Sequence, residues 1–272
     1  MIMQGSSRRA LTQLQGAFDE RRDAGADSMA ISQDLLAVAA VLSREIKLRN
    51  ALADPGAEPD SRSRIAEQLF EGKVGSEALA LLQEAVRARW SRSRDLVDSV
   101  EAIAAQAAFT VAEREGRLDR VEDELFRFGR TIAGSASLRD VLAQPDIGAE
   151  QKRALLESLL AGKADPTTRR LLDHVVSAPR GRRIEDALVE LSELAAQRRD
   201  RLIADVRVAA ALTEDQHRRL TAALSRIYGR EVSLQVALDP QVLGGAVVTV
   251  GDEVIDGTVL NRLEQARRQI AG

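Results

Sequence analysis

The sequence has no cysteine, which excludes a disulfide framework and any cysteine-ligated metal site. Its two histidines, His174 and His217, are too few for a multi-histidine metal centre. Aromatic residues make up 3% of the chain, with a single tryptophan, Trp90, so alanine and leucine must fill the interior. That favours closely packed helices over a sandwich. A basic excess is also missing: 39 Lys and Arg stand against 42 Asp and Glu, a net charge of −3, which argues against a nucleic-acid binder. No apolar run approaches the roughly 18 residues that a membrane helix needs, and no signal-peptide pattern is read at the start. The expectation is a cytoplasmic protein, or one held at a membrane only through partners.

What is present is length, apolar content and periodicity. The chain has 272 residues, more than one small core usually absorbs, so two or three domains are expected. Apolar residues at 44% allow a normal core, and 30% charged residues of both signs fit long solvated helix faces. Leu11, Leu14 and Phe18 share one helical face, then Ile31, Leu35, Val38 and Leu42, with Ser28 or Ser32 as the expected cap. Asp54-Pro55-Gly56 is a firm breaker. Ile65, Leu69 and Phe70 mark a further helix, and Leu79, Leu82, Val86 and Trp90 the next. From Asp95 to Ile132 the helical pattern hardly stops, with Gly116 and Gly129 as expected bends.

The chain then repeats itself. Leu48 to Pro55 (LRNALADP) reappears about 90 residues later as Leu138 to Pro145 (LRDVLAQP). The same offset pairs Ile65 with Leu155, Leu69 with Leu159, Gly72-Lys73 with Gly162-Lys163 and Val86 with Val176. Apolar positions meet apolar ones and breakers coincide, so two copies of one helical unit are expected.

After Arg201 the period changes. Ile203, Val206, Val208 and Ala210 suggest a strand. Thr213 to Gln216 reads as a capping box, Leu220, Leu224 and Ile227 as a buried stripe, and Gly229 as a helix stop. Val232 to Leu238 and Ala246 to Val250 read as strands. Gly251-Asp252 offers a hairpin turn into a short strand from Glu253 to Asp256. Thr258 caps a last helix whose apolar face carries Val259, Leu263, Ala266 and Ile270.

Chemistry-bearing patterns are sparse. Gly72-Lys73 and Gly162-Lys163 lack the glycine five places earlier that a P-loop needs, so they read as helix stops with a basic cap. His174 and His217 read as ordinary, partly buried imidazoles. Arg87, Arg89, Arg92 and Arg94, and Arg180, Arg182 and Arg183, form clusters that suit either solvated helix ends or an acidic partner. Asp239, Asp252 and Asp256 sit beside glycine or proline and read as turn residues rather than metal ligands. No catalytic, cofactor or metal residue is assigned.

The stretch Gly244-Gly245-x-Val247-Val248-x-Val250-Gly251-Asp252-x-Val254-x-Asp256-Gly257-Thr258-Val259, followed by an amphipathic helix with Leu263, resembles the C-terminal signature of the F-type ATP synthase delta subunit. This is the family of the mitochondrial oligomycin sensitivity-conferring protein. Just upstream, Leu238-Asp239-Pro240-Gln241-Val242-Leu243 keeps the family's frame with one apolar swap. The second helical copy resembles the family's N-terminal helical domain. The repeat, the change of period and the resemblance together lead to the expectation of a mainly α fold: helical bundles at 1–110 and 111–200, partly duplicated where most family members need one such unit, then a small α+β domain at 201–272. The resemblance implies a non-catalytic peripheral-stalk subunit on the cytoplasmic face of the cell membrane, one copy per complex. Its partners would be the N-terminal helices of the alpha subunits and the b-type stalk subunit. Leu11, Leu14, Leu79, Leu82 and Val86 are the expected groove for the former, with the equivalent faces of the second copy as the rival. Val259, Leu263 and Ile270 belong to the tail surface expected to bind a partner. The alternative is a generic helical scaffold for other partners.

Overall fold

The computed structural model describes residues 5–144, 146–160, 162–178, 182–199, 202–229, 232–239, 242, 244–250 and 253–256. It divides into two units, Met1–Arg198 and Arg199–Gly272. The first contains α1 (Gly5–Asp23), α2 (Ser28–Arg44), α3 (Ile46–Leu52), α4 (Pro59–Phe70), α5 (Ser76–Arg87) and α6 (Ser93–Arg114). These are followed by α7 (Leu118–Gly134), α8 (Ala136–Ala143), α9 (Ala149–Leu160), α10 (Pro166–Ser177) and α11 (Ile184–Arg199).

Helix spacing recurs along this unit. The starts Ser28, Ile46, Pro59 and Ser76 return ninety residues later as Leu118, Ala136, Ala149 and Pro166. Both α2 and α7 are 17 residues long, and α4, α5, α9 and α10 are each 12. Gly72 (φ 72°) and Gly162 (φ 66°) take the same left-handed conformation two residues after their helices. In this register α6 stands where α1 stands in the first run, and α11 where α6 does.

The helix that serves both runs is α6. Sixteen of its 22 residues are buried, so it is covered on all sides rather than along one stripe. It packs against α1, α2, α3 and α5, and against α7 and α10. Ala102, Ala104, Ala105, Ala107, Ala108 and Ala112 keep it thin enough for neighbours to approach from both directions. The division expected between residues 110 and 111 therefore falls inside an unbroken buried helix. Gly116 (φ 64°) ends this helix rather than bending it, whereas Gly129 lies within an uninterrupted α7.

The cap of α2 differs from expectation. Asp27 accepts from the amides of Met29 and Ala30 at 2.9 and 3.1 Å, while Ser28 and Ser32 are buried inside the helix. A carboxylate at this position also favours the positive end of the helix dipole.

The second unit contains β1 (Leu202–Val208), α12 (Glu214–Tyr228), β2 (Val232–Leu238), β3 (Ala246–Val250) and β4 (Glu253–Asp256). The sheet order is β2-β1-β3-β4. β1 and β2 run parallel with α12 as their crossover, and β3 is antiparallel to both β1 and β4. Ala204, Val206, Val208, Val232, Leu234, Val248 and Val250 form its core with Leu224 of α12. Two expectations appear at atomic level. Thr213 Oγ1 accepts from the Gln216 amide at 3.3 Å while the Thr213 amide donates back to Gln216 Oε1 at 2.9 Å. Gly229 ends α12 with φ 65°. The hairpin turn at Gly251-Asp252, the cap Thr258 and the helix bearing Val259, Leu263, Ala266 and Ile270 lie outside the described residues.

Candidate docking surfaces

The apolar faces of α1 and α5 that the sequence singles out are largely used up by packing. Leu14, Leu82 and Val86 are core residues, with Leu82 and Val86 at 0% exposure. Leu11 and Leu79 are half-buried at the edge of the same core. The five residues therefore do not line an open groove. Periodicity identifies an apolar face without saying what covers it, and here α1, α5 and α6 cover one another. Trp90 is buried too, its indole N–H donating to the Ala85 carbonyl at 2.8 Å.

Open clefts occur instead along the seam between the two helix runs. One, of about 270 Å³, is bounded by α1, α6, α10 and α11, and Leu11 contributes to its wall. At its edge Glu101 meets two side chains: His174 Nε2 lies 2.7 Å from one carboxylate oxygen and Arg182 Nη2 donates to the other at 2.9 Å. Arg182 reaches Glu190 at 3.3 Å as well. The histidine that reads as an ordinary imidazole thus belongs to an ion-pair network tying α6, α10 and α11 together. The second cleft, of about 590 Å³, lies between α2 on one side and α9 and α10 on the other.

Away from these clefts, several buried charged groups are structural. Arg62 is almost wholly buried and donates to the carbonyls of Ala88 and Arg87 at 3.0 and 3.2 Å, closing the end of α5. Nothing in the helical periodicity marks that arginine as internal. Its counterpart ninety residues on is Lys152, buried in α9, whose pKa is pushed down by burial. Asp165 caps α10 by accepting from the Thr167 amide at 2.8 Å and also pairs with Arg117. Burial would raise the Asp165 carboxyl, but Arg117 and the Thr167 amide outweigh it and hold it below its ordinary value.

Of the sequence-marked arginines, Arg87 pairs with Asp60 at 3.3 Å, Arg92 with Asp95 at 3.0 Å and Arg183 with Glu185 at 3.4 Å. Arg89 and Arg94 are exposed, and Arg180 lies outside the described residues. Lys73 Nζ donates to the Leu69 carbonyl at 2.8 Å, capping a helix end rather than cradling a phosphate. His217 is half-buried near the start of α12. Asp239 lies 3.5 Å from Arg207. Among the described residues no group of three or more His, Asp or Glu side chains is arranged to hold a metal.

In the α+β unit, Ile227, Leu238 and Val254 are exposed, and Val236 is on the border of exposure. No helix among the described residues is long and apolar enough to cross a membrane.

A helical bundle with open inter-helix clefts, followed by a small sheet unit with exposed apolar side chains, has the build of an adaptor that binds other chains. Residues 103–270 match the family model of the ATP synthase delta (OSCP) subunit. The chain belongs to that family. It is 47% identical to the ATP synthase subunit delta of Streptomyces griseus over 99% of this chain and 100% of that protein. The proteins of the same name in Streptomyces avermitilis and Thermobifida fusca are each 45% identical, over 100% and 99% of this chain and 100% of each relative. A chain of the Toxoplasma gondii mitochondrial ATP synthase hexamer aligns at 21% identity with a TM-score of 0.28, covering 62% of this chain and 95% of that one. The family-model match begins within α6, so it spans the second helix run and the sheet unit, and α1 to α5 precede it.

Proposed function

We propose that this chain is a non-catalytic peripheral-stalk subunit of a proton-translocating F-type ATP synthase. Its helical unit holds N-terminal helices of the alpha subunits, and its α+β unit holds the distal end of the b-type stalk. It works on the cytoplasmic face of the cell membrane, reaches the membrane through those partners, and is present once per complex. By joining head to stalk it keeps the catalytic head from turning with the rotor.

The observation that carries this reading is the family match over residues 103–270, which spans both kinds of unit. The physics is compatible with it. Burying about 800 Å² of apolar surface, at roughly 25 cal/mol per Å², gives a gross term near 20 kcal/mol before association entropy and ordering reduce it. That leaves room for nanomolar binding, about −12 kcal/mol. A buried, alanine-rich α6 shared by two helix runs supplies stiffness within the helical unit.

The test is a pull-down from detergent-solubilised membranes with the intact chain and with a chain lacking Val242 to Gly272. The intact chain is expected to retain both alpha and b, and the shortened one to retain alpha and lose b. Recovery of neither subunit by the intact chain would overturn the reading and favour a scaffold for unrelated partners.

We further infer that α1–α5 are an added copy of the unit that begins at α6, supported by the ninety-residue recurrence of helix starts. The copy lengthens or braces the stalk. Deleting residues 48–106 is expected to lower coupled ATP synthesis, and unchanged synthesis would contradict that role.

A further inference from the structure

Sulfur enters this chain only as methionine: cysteine is absent, and the three methionines are Met1, Met3 and Met29. Met29 is the one among the described residues, half-buried in the first turn of α2. Its neighbour across the seam is a cation. Arg170 Nη1, on α10 of the second helix run, donates to the Met29 sulfur. A thioether is a weak acceptor, so a guanidinium that rests on it is poorly matched.

Arg170 has no better partner. It pairs with no carboxylate among the described residues, and Asp173, one turn along α10, is held by Arg153 at 2.7 Å. Burial first, then neighbouring Arg169, lowers the Arg170 pKa, which marks a half-buried cation short of compensation. On α2, within one turn of Met29, the hydroxyls of Ser28 and Ser32 are buried without a hydrogen-bond partner. This part of the seam has donors to spare and is short of an acceptor.

We propose that Met29 is an oxidation site whose sulfoxide oxygen is received by Arg170. The sulfur lone pair attacks one oxygen of a hydroperoxide, the O–O bond breaks and an S–O bond forms. Sulfur gives up two electrons to the peroxide. With hydrogen peroxide, the other oxygen takes the proton of the transferred one and leaves as water. Two thiols of a reductase return the thioether, with a disulfide and water as products.

The new oxygen is a strong acceptor on the atom that Arg170 already touches, so a weak contact becomes a charge-assisted hydrogen bond. A sulfoxide ordinarily disrupts the apolar packing around it. Here it ties α2 to α10, and oxidation tightens the seam between the helix runs instead of loosening it. Met29 and Arg170 meet within this chain, so the effect is independent of any partner.

The purified full chain is treated with hydrogen peroxide until Met1 and Met3 carry oxygen. Mass spectrometry then reads the tryptic peptide Asp23–Arg44, whose only methionine is Met29. Added oxygen is expected there as well. Urea unfolding compares oxidised and reduced forms of the parent, Arg170→Leu and Arg170→Lys. Oxidation is expected to leave the folding equilibrium constant of the parent unchanged or raised, and to lower that of Arg170→Leu about tenfold through an unmatched half-buried oxygen. Arg170→Lys should fall between, since an ammonium can still reach the oxygen. Met29→Leu keeps Met1 and Met3, and peroxide is expected to leave its stability unchanged. Circular dichroism checks that each variant folds.

A Met29 that stays reduced while Met1 and Met3 gain oxygen would overturn the inference. So would an equal loss of stability on oxidation in the parent and in Arg170→Leu, or a peroxide response that persists in Met29→Leu.

Discussion

Leu36 and Phe126 occupy the same position in α2 and α7, ninety residues apart, yet Leu36 is 7% exposed and Phe126 57%. The first is pressed into the seam beside Leu171, His174 and Val175, where a second helix run lies against it. The second has no further run to cover it. Leu36→Ala is therefore expected to cost about 2–4 kcal/mol, and Phe126→Ala to stay within about 0.5 kcal/mol of the parent. Urea unfolding followed by circular dichroism measures both. Equal costs would mean that the two helices meet equivalent surroundings.

Asp165 gives a pH dependence with a definite sign. Its folded-state pKa lies below the ordinary carboxylate value of about 4, so its contribution is present at neutral pH and disappears as pH falls through the folded value. Asp165→Ala should cost about 1–2 kcal/mol at pH 7 through the lost cap of α10 and the lost Arg117 pair. The gap between parent and variant is expected to be flat from about pH 7 to 5 and to narrow below about pH 4. A gap that widens on acidification would contradict the assignment.

The thinness of α6 can be tested by filling it. Ala104, Ala107 and Ala108 are each 0% exposed, so Ala108→Leu has no free space to enter. A loss of about 1–3 kcal/mol is expected, from overpacking that pushes neighbouring helices apart. The same change at Ala154, exposed on α9, should be near neutral. Thermal melts of the two variants provide the comparison.

Arg62 closes the end of α5 through two carbonyls, and removing it takes that donor from both and empties a buried side-chain site. Arg62→Ala is expected to cost about 2–3 kcal/mol, and Arg62→Lys less, since an ammonium can still reach one carbonyl. Lys152 already occupies the matching place in α9. Unfolding midpoints of the two variants decide this.

Much of the architecture was legible because local chemistry specified it. The capping box at Thr213, the stop at Gly229 and the strands at 232–238 and 246–250 all follow from short-range rules, and each element is present. The family signature was equally legible, since it is carried by glycines and valines in a fixed frame. The internal position of Arg62 was not, because an arginine at a helical position looks like surface until a neighbouring helix end is brought beside it. Nor was the state of Leu14, Leu82 and Val86, whose apolar face is completed by α6 rather than left for a partner. The seam clefts were illegible for the same reason: they arise where residues from widely separated helices meet.

The most direct measurement is coupled ATP synthesis in inverted membrane vesicles stripped of this chain, with purified chain added back. Depletion is expected to abolish gradient-driven synthesis while ATP hydrolysis by the released catalytic head continues, and add-back to restore synthesis. Wild-type synthesis in fully depleted vesicles, or ATP turnover by the purified chain alone, would contradict its role as a mechanical link.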